Sequence, residues 1–266
     1  MPKVTNLTKK GRLYLVEIEN NQKVESFKVS EDLVISYRLI SNKEFSNEIY
    51  NKLIIEIYRD NYYQKVLNFA LYKPRTKAEI IRYLEKMNIS EFAYYLNKLA
   101  ALRLIDDDLY VENYLHESIN YKKIGKHKIL EDLKMKGINI EIIKEKLEQY
   151  SQQQANENCQ YWFEKKVTSL NNKSFLQAKK NLLSFLVNKG FNYETAKQVI
   201  EENHSAIANE INEDAAIGKE INVLKQKYLR KNLKQSLNTY IISKLIAKGY
   251  QYNLIKKYLE GSDTDE

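Results

Sequence analysis

The sequence predicts a mainly helical protein of tandem three-helix repeats in an elongated array, preceded by a small N-terminal segment that contains a β-hairpin. Three observations carry this. The 266 residues include only 2 Pro and 7 Gly, too few turn formers for a sandwich or barrel of many short strands. One apolar pattern of helical period returns four times, and alternation of period two is confined to the N-terminal end. A mean hydropathy of −0.59 with 29% charged residues adds that much of the surface is solvated, as in modules set in a row rather than one ball.

From Arg12 to Glu19, Leu13, Leu15 and Ile18 alternate loosely with Arg12, Tyr14, Glu17 and Glu19, the pattern of a half-buried strand. Asn20-Asn21-Gln22 turns the chain, Val24, Phe27 and Val29 form a second strand, and Ser30 with Glu31 and Asp32 reads as a helix N-terminus. Two strands bury too little to stand alone, so the hairpin is expected to dock on the helices or on another sheet edge.

The repeat is anchored on Asn88, Gly137, Gly190 and Gly249, which stand 49, 53 and 59 residues apart and tolerate the left-handed backbone that ends a helix. Four residues before each anchor lie Leu84, Leu133, Leu186 and Leu245. Eight before lie Ile80, Ile129, Leu182 and Ile241, and seven before lie Ile81, Leu130, Leu183 and Ile242. This is one apolar helix face written four times. Two residues after the anchors come Ser90, Asn139, Asn192 and Gln251, of which the first three are good N-caps for a second helix. The spacing leaves room for a third helix in each of the first three units.

The resulting partition is a strand-rich segment over 1–50, helical repeats over 51–120, 121–170 and 171–230, a partial repeat over 231–260, and an acidic tail over 261–266. Modules near 50 residues are marginal alone, so neighbours should share apolar surface.

Within this frame, Lys73-Pro74-Arg75-Thr76-Lys77-Ala78-Glu79 opens a helix, with Thr76 as cap and Glu79 completing a capping box. Leu104-Ile105-Asp106-Asp107-Asp108-Leu109-Tyr110 follows, then Lys123-Ile124-Gly125-Lys126-His127-Lys128-Ile129 and Lys136-Gly137-Ile138. In this order and spacing the segments resemble the RecX family of regulators of the RecA recombinase, over about residues 60–260. Tyr110 and Val111 stand where the family usually has Phe and Ala, and Asn88 replaces a glycine. Longer members also carry a strand-bearing N-terminal extension. The resemblance implies a curved helical-repeat protein that lies along the RecA filament and restrains it, in homologous recombination, DNA repair and the SOS response.

A formal charge of +8, from 43 Lys+Arg against 35 Asp+Glu, favours polyanionic partners. The basic residues gather at Lys73, Arg75, Lys77 and Arg82, and again at Lys122, Lys123, Lys126, Lys128, Lys134 and Lys136. On a helix, Lys122 and Lys123 would share a side with Lys126. Arg75, Lys77, Arg82, Lys123, Lys126, Lys128, Lys134 and Lys136 are therefore the expected contacts to DNA phosphates or to an acidic RecA surface. Such contacts position a protein without reading sequence.

Asp106, Asp107 and Asp108 are expected to cap a helix rather than to hold a metal. His116, His127 and His204 lie far apart, without ligand spacing. No phosphate-binding glycine loop and no nucleophile motif is present, so neither an enzyme nor a cofactor is expected. A lone Cys159, no signal-peptide core and no long apolar run point to a reducing, aqueous compartment, the cytoplasm, without a membrane partner; a monomer is expected, though these features do not fix the oligomeric state. Trp162, between Tyr161 and Phe163, is expected in the core. The rival readings are a helix-turn-helix transcription regulator, which would require a particular operator, and a non-enzymatic helical scaffold, which would ignore DNA even at low salt.

Overall fold

A computed structural model describes residues 1–170, 173–230 and 235–261. The chain divides into two compact units, Met1–Tyr110 and a second that begins at Val111.

The first unit opens with an antiparallel sheet of order β1-β2-β3, formed by Lys3–Lys10, Leu13–Asn20 and Lys23–Val29. The expected hairpin is β2–β3, in register Val16 to Phe27, and both turn residues Asn21 and Gln22 adopt the left-handed backbone (φ 50° and 65°) that suits the twist of a tight hairpin. The sheet also holds β1, which the sequence reading leaves out. Its alternation is invisible because the strand sends only Val4, opposite Ile18, and the half-buried Leu7 toward the core, and a register shift between Val4 and Asn6 breaks the period of two between them. Helix α1 (Glu31–Ser36) starts where expected, but Ser30 makes no side-chain cap bond. Its backbone N–H donates instead to Asp60 Oδ2 at 3.2 Å.

The long helix α2 (Asn47–Tyr72) serves two cores. Its first half, through Tyr50, Leu53 and Ile57, closes the sheet over Val16, Ile18, Leu39 and Phe45. Val66 and Ala70 in its second half pack with Ile80 and Leu84 of α3 (Lys77–Glu85) and with Tyr95 and Leu99 of α4 (Phe92–Ala101). Helix α5 (Asp107–Asn120) follows.

In the second unit come α6 (Lys126–Met135), α7 (Ile140–Leu147) and α8 (Gln152–Val167). Then follow α9 (Phe175–Asn188), α10 (Tyr193–Glu202), the short α11 (His204–Glu210) and α12 (Glu213–Leu229). Helices α13 (Leu237–Ala247) and α14 (Tyr252–Gly261) end the described chain, and residues 262–266 of the acidic tail lie outside it. All four anchors have the left-handed backbone, with φ 57°, 80°, 93° and 88° at Asn88, Gly137, Gly190 and Gly249. The leucine column and the column eight residues before each anchor are fully buried.

Three of the four anchor pairs pack on the helix that precedes them. Cys159 and Phe163 of α8 share one core with Leu182 and Leu186 of α9 and Val199 and Ile200 of α10. Ile217, Ile221 and Leu224 of α12 share another with Ile241, Leu245 and Ile255 of α13 and α14. The arrangement of α2 with α3 and α4 is the same, so the recurring core is a helix followed by an anchor pair.

Asn139 and Asn192 cap α7 and α10, accepting N–H bonds at 2.9 and 2.6 Å. Ser90 does not cap α4. Glu91 takes that place without a capping bond, its carboxylate being held by Arg59 at 3.0 Å. Among the described residues, no helix is long and apolar enough to cross a membrane.

Candidate nucleic-acid interface

The predicted basic residues fall in both units. In the first, Thr76 and Glu79 form the expected reciprocal capping box at the start of α3. Asp106 caps α5 by accepting the Leu109 N–H at 3.0 Å, and Asp107 accepts the backbone N–H of Lys77 at 2.9 Å, which ties the starts of α3 and α5 together. The aspartates are thus structural. Arg75 is turned inward: its guanidinium lies 3.8 Å from the centroid of the Phe69 ring, donates to the Phe69 carbonyl at 3.4 Å, and its side chain is only 12% exposed. Lys77 and Arg82 are exposed.

In the second unit, Lys122 and Lys123 do not lie on a helix with Lys126. Lys123 is left-handed (φ 53°) and Gly125 is extended, so α6 begins only at Lys126. Three side chains, Tyr150 from the turn between α7 and α8 and Asn158 and Trp162 from α8, pin this loop and the end of α5 before it. Tyr150 donates its hydroxyl to the Ile124 carbonyl at 3.1 Å, Asn158 donates to the Ile119 carbonyl at 2.9 Å, and the Trp162 indole N–H donates to the Lys123 carbonyl at 2.8 Å. Asn158 also donates to the Tyr150 hydroxyl at 2.9 Å, so these buried polar groups satisfy one another. Burial raises the Tyr150 phenol above its ordinary range, opposed by that bond from Asn158.

The loop is fixed from the other side by the Lys-Gly turn of the next repeat. Gly125 N–H donates to the Lys189 carbonyl at 2.9 Å, and His127 N–H donates to the Gly190 carbonyl at 3.0 Å. Here glycine is required by space: a Cβ on Gly125 would stand 2.1 Å from the Gly190 oxygen, and one on Gly190 would stand 2.4 Å from Lys128 Cβ. The joint recurs between α9 and α13, where the Ser174 hydroxyl donates to the Lys248 carbonyl and a Cβ on Gly249 would stand 2.6 Å from Leu176 Cβ. The Lys189-Gly190 and Lys248-Gly249 turns are therefore docking joints as well as helix ends.

Beside the first joint opens a groove of about 680 Å³, lined by Tyr114, Tyr121, Lys122, Ile124, Lys128, Asp132, Tyr161, Trp162, Phe185, Asn188 and Lys189. Several cations in and beside it lie over rings. Lys189 Nζ stands 3.5 Å from the Trp162 ring centroid, Lys122 stands 4.7 Å from that of Tyr114, and Tyr161 carries Lys165 at 4.5 Å and Lys123 at 5.3 Å. Two carboxylates balance part of the charge: Asp132 pairs with Lys128 at 3.0 Å and accepts the Tyr114 hydroxyl at 2.8 Å, and Glu117 pairs with Lys122 at 3.2 Å. The bond to Asp132 raises the Lys128 ammonium above its ordinary value, so it stays charged.

Of the predicted residues the structure thus brings Lys128 to the groove, sets Lys123 beside it with its half-buried ammonium donating to Asn158 Oδ1 at 3.5 Å, and leaves Lys126, Lys134 and Lys136 along α6 or just beyond its end, Lys126 and Lys134 being exposed. Sequence reasoning missed Lys189, Trp162 and Phe185 as parts of it. Lys189 was hidden as a repeat marker. Trp162 is half-buried and does both: it packs against the core of Cys159, Phe163 and Leu182, as expected, and with Tyr161 it also lines the groove. The alternation of lysines with flat rings suits a phosphate backbone with unstacked bases. Among the described residues, no group of three His, Cys, Asp or Glu side chains could hold a metal ion.

No family model matches the chain. It is 30% identical over 269 residues to the regulatory protein RecX of Streptococcus agalactiae serotype Ia, an alignment covering 97% of this chain and 98% of that one. It is 26% identical to the regulatory protein RecX of Enterococcus faecalis, over 100% and 99% of the two chains. A crystal structure of regulatory protein RecX superposes on 76% of this chain and 100% of its own with a TM-score of 0.61 at 22% identity, which shows a common fold.

Proposed function

The chain belongs to the RecX family of regulatory proteins, and we propose that it binds the RecA–DNA filament and mostly inhibits RecA ATP hydrolysis, filament extension and strand exchange. The observation that carries this reading is family membership over the whole length, joined to a cationic face around α6 and the groove beside it. Bound along the filament, the helical repeats bridge RecA protomers, and Lys77, Arg82, Lys123, Lys126, Lys128, Lys134 and Lys136 meet phosphates or acidic RecA surface. Arg75 contributes by holding the start of α3 rather than by contact, since its guanidinium is engaged with Phe69. The protein acts as a monomer in the cytoplasm, with no cofactor and no chemistry of its own, so any change in ATP turnover is RecA's.

The test is the rate of single-strand-DNA-dependent ATP hydrolysis by the cognate RecA, titrated with the chain and with a Lys126→Ala/Lys134→Ala variant. Both positions are exposed, so the variant keeps the fold. Substoichiometric inhibition, weakened in the variant, is the expected result. No effect at stoichiometric excess would sink the RecA assignment, and operator-specific binding without RecA would replace it with a transcription regulator.

A further inference from the structure

We propose that the groove beside Trp162 is a subsite for unpaired nucleic acid, in which a base stacks on the indole and its phosphate is held by Lys189. The proposal rests on the filament reading and deepens it by naming the chemistry this groove takes.

Three features point to a single strand. The groove, about 680 Å³, lies within the roughly 300–1,000 Å³ of clefts that hold one small ligand, so it admits a base with its sugar and phosphate. A paired base has both faces covered by its neighbours and cannot enter. The indole is held in place: its N–H is already bonded to the Lys123 carbonyl at 2.8 Å, so the ring that lines the groove has no free donor to offer and meets a ligand through its π system. That ring is covered by Lys189 Nζ at 3.5 Å, and the structure shows no carboxylate paired with Lys189 among the described residues. Lys122 and Lys128, by contrast, have Glu117 and Asp132.

An ammonium resting on a ring is the group an entering phosphate can take up without breaking an ion pair. As Lys189 swings to the phosphate it uncovers the indole, and a base replaces it there, so one movement satisfies both halves of a nucleotide. Tyr121, 75% exposed at the rim, offers a second ring to the next base. An acidic protein segment would use the lysines and leave these flat faces unused.

Trp162 is the only tryptophan in the chain, so its emission reports on this groove alone. The full chain, without RecA, would be titrated at low salt with oligothymidylate of about twelve nucleotides, a length within the usual single-strand site size. A duplex of equal length, inorganic polyphosphate and poly-glutamate serve as comparisons. The expected result is quenching by the single strand and by none of the others, with affinity about tenfold weaker in Tyr121→Ala and in Lys189→Gln. No quenching by the single strand, or equal quenching by polyphosphate, would overturn the subsite. Equal quenching by poly-glutamate would hand the groove to an acidic protein face and overturn it too. The wild-type titration decides even if a variant fails to fold. Because RecA is absent, failure here leaves the ATP-hydrolysis test of the filament reading untouched.

Discussion

Gly125 has no room for a side chain, because its α-carbon lies against the Gly190 backbone and a Cβ would stand 2.1 Å from that carbonyl oxygen. The obstacle is backbone, held by two hydrogen bonds, and cannot turn aside as a flexible side chain would. Gly125→Ala is therefore expected to destabilise the chain by at least about 2 kcal/mol, read as a lower urea midpoint at unchanged slope. A midpoint within error of the wild type would show that the joint yields freely. Three buried acids act in the opposite pH direction from surface carboxylates. Burial pushes Cys159, Tyr95 and Tyr250 each up to about 12. Unfolded, they lose their protons at lower pH, so between their ordinary values and about 12 the unfolded chain binds fewer protons and stability falls as pH rises. Thermal midpoints should hold near neutrality and decline from about pH 9 upward. Over the same range Cys159 should resist alkylation until the chain unfolds. Rapid labelling of the folded protein at pH 8 would contradict its burial.

At the scale of elements, the parts legible in the sequence were those whose signal is local and repeated. The left-handed anchors, the leucine column and the Thr76–Glu79 box each depend on residues within one turn or one helix, and each stands where the sequence places it. Strand β1 was not legible, since its two core-facing residues, Val4 and Leu7, stand three apart across a register shift and leave no alternation to read. Ser90 failed as a cap because Glu91 is drawn to Arg59, a partner 32 residues away. The joint between α9 and α13 gives a test at this scale. Ser174, almost fully buried, donates to the Lys248 carbonyl and accepts the Gln177 N–H at 3.2 Å. Ser174→Ala removes both bonds at a cost of about 1–3 kcal/mol. Amide exchange should quicken in α13 and α14 while α6 is unchanged. Uniform acceleration across the second unit would mean that the joint is not a local tie.

On the proposed function the whole molecule is a binding protein whose chemistry is charge and stacking. Its family was legible from motif order, because the basic-Pro-Arg-Thr, Ile-Asp-Asp and Lys-x-x-Gly segments are helix starts and joints that the repeat requires. The groove was only half legible. Its lysines form a visible run, but Tyr114, Trp162, Phe185 and Lys189 come from three helices and the turn after α9, and meet only through packing. If phosphates hold it to the filament, affinity must fall steeply with salt, with a slope near −0.7 per single-strand phosphate neutralised. The most direct measurement is co-sedimentation of the chain with cognate RecA filaments on single-stranded DNA, assembled with a slowly hydrolysed ATP analogue. The account predicts that the chain pellets with filaments at a fixed ratio to RecA, and less so as salt is raised. A chain that stays in the supernatant at low salt, with filaments in excess, would contradict it.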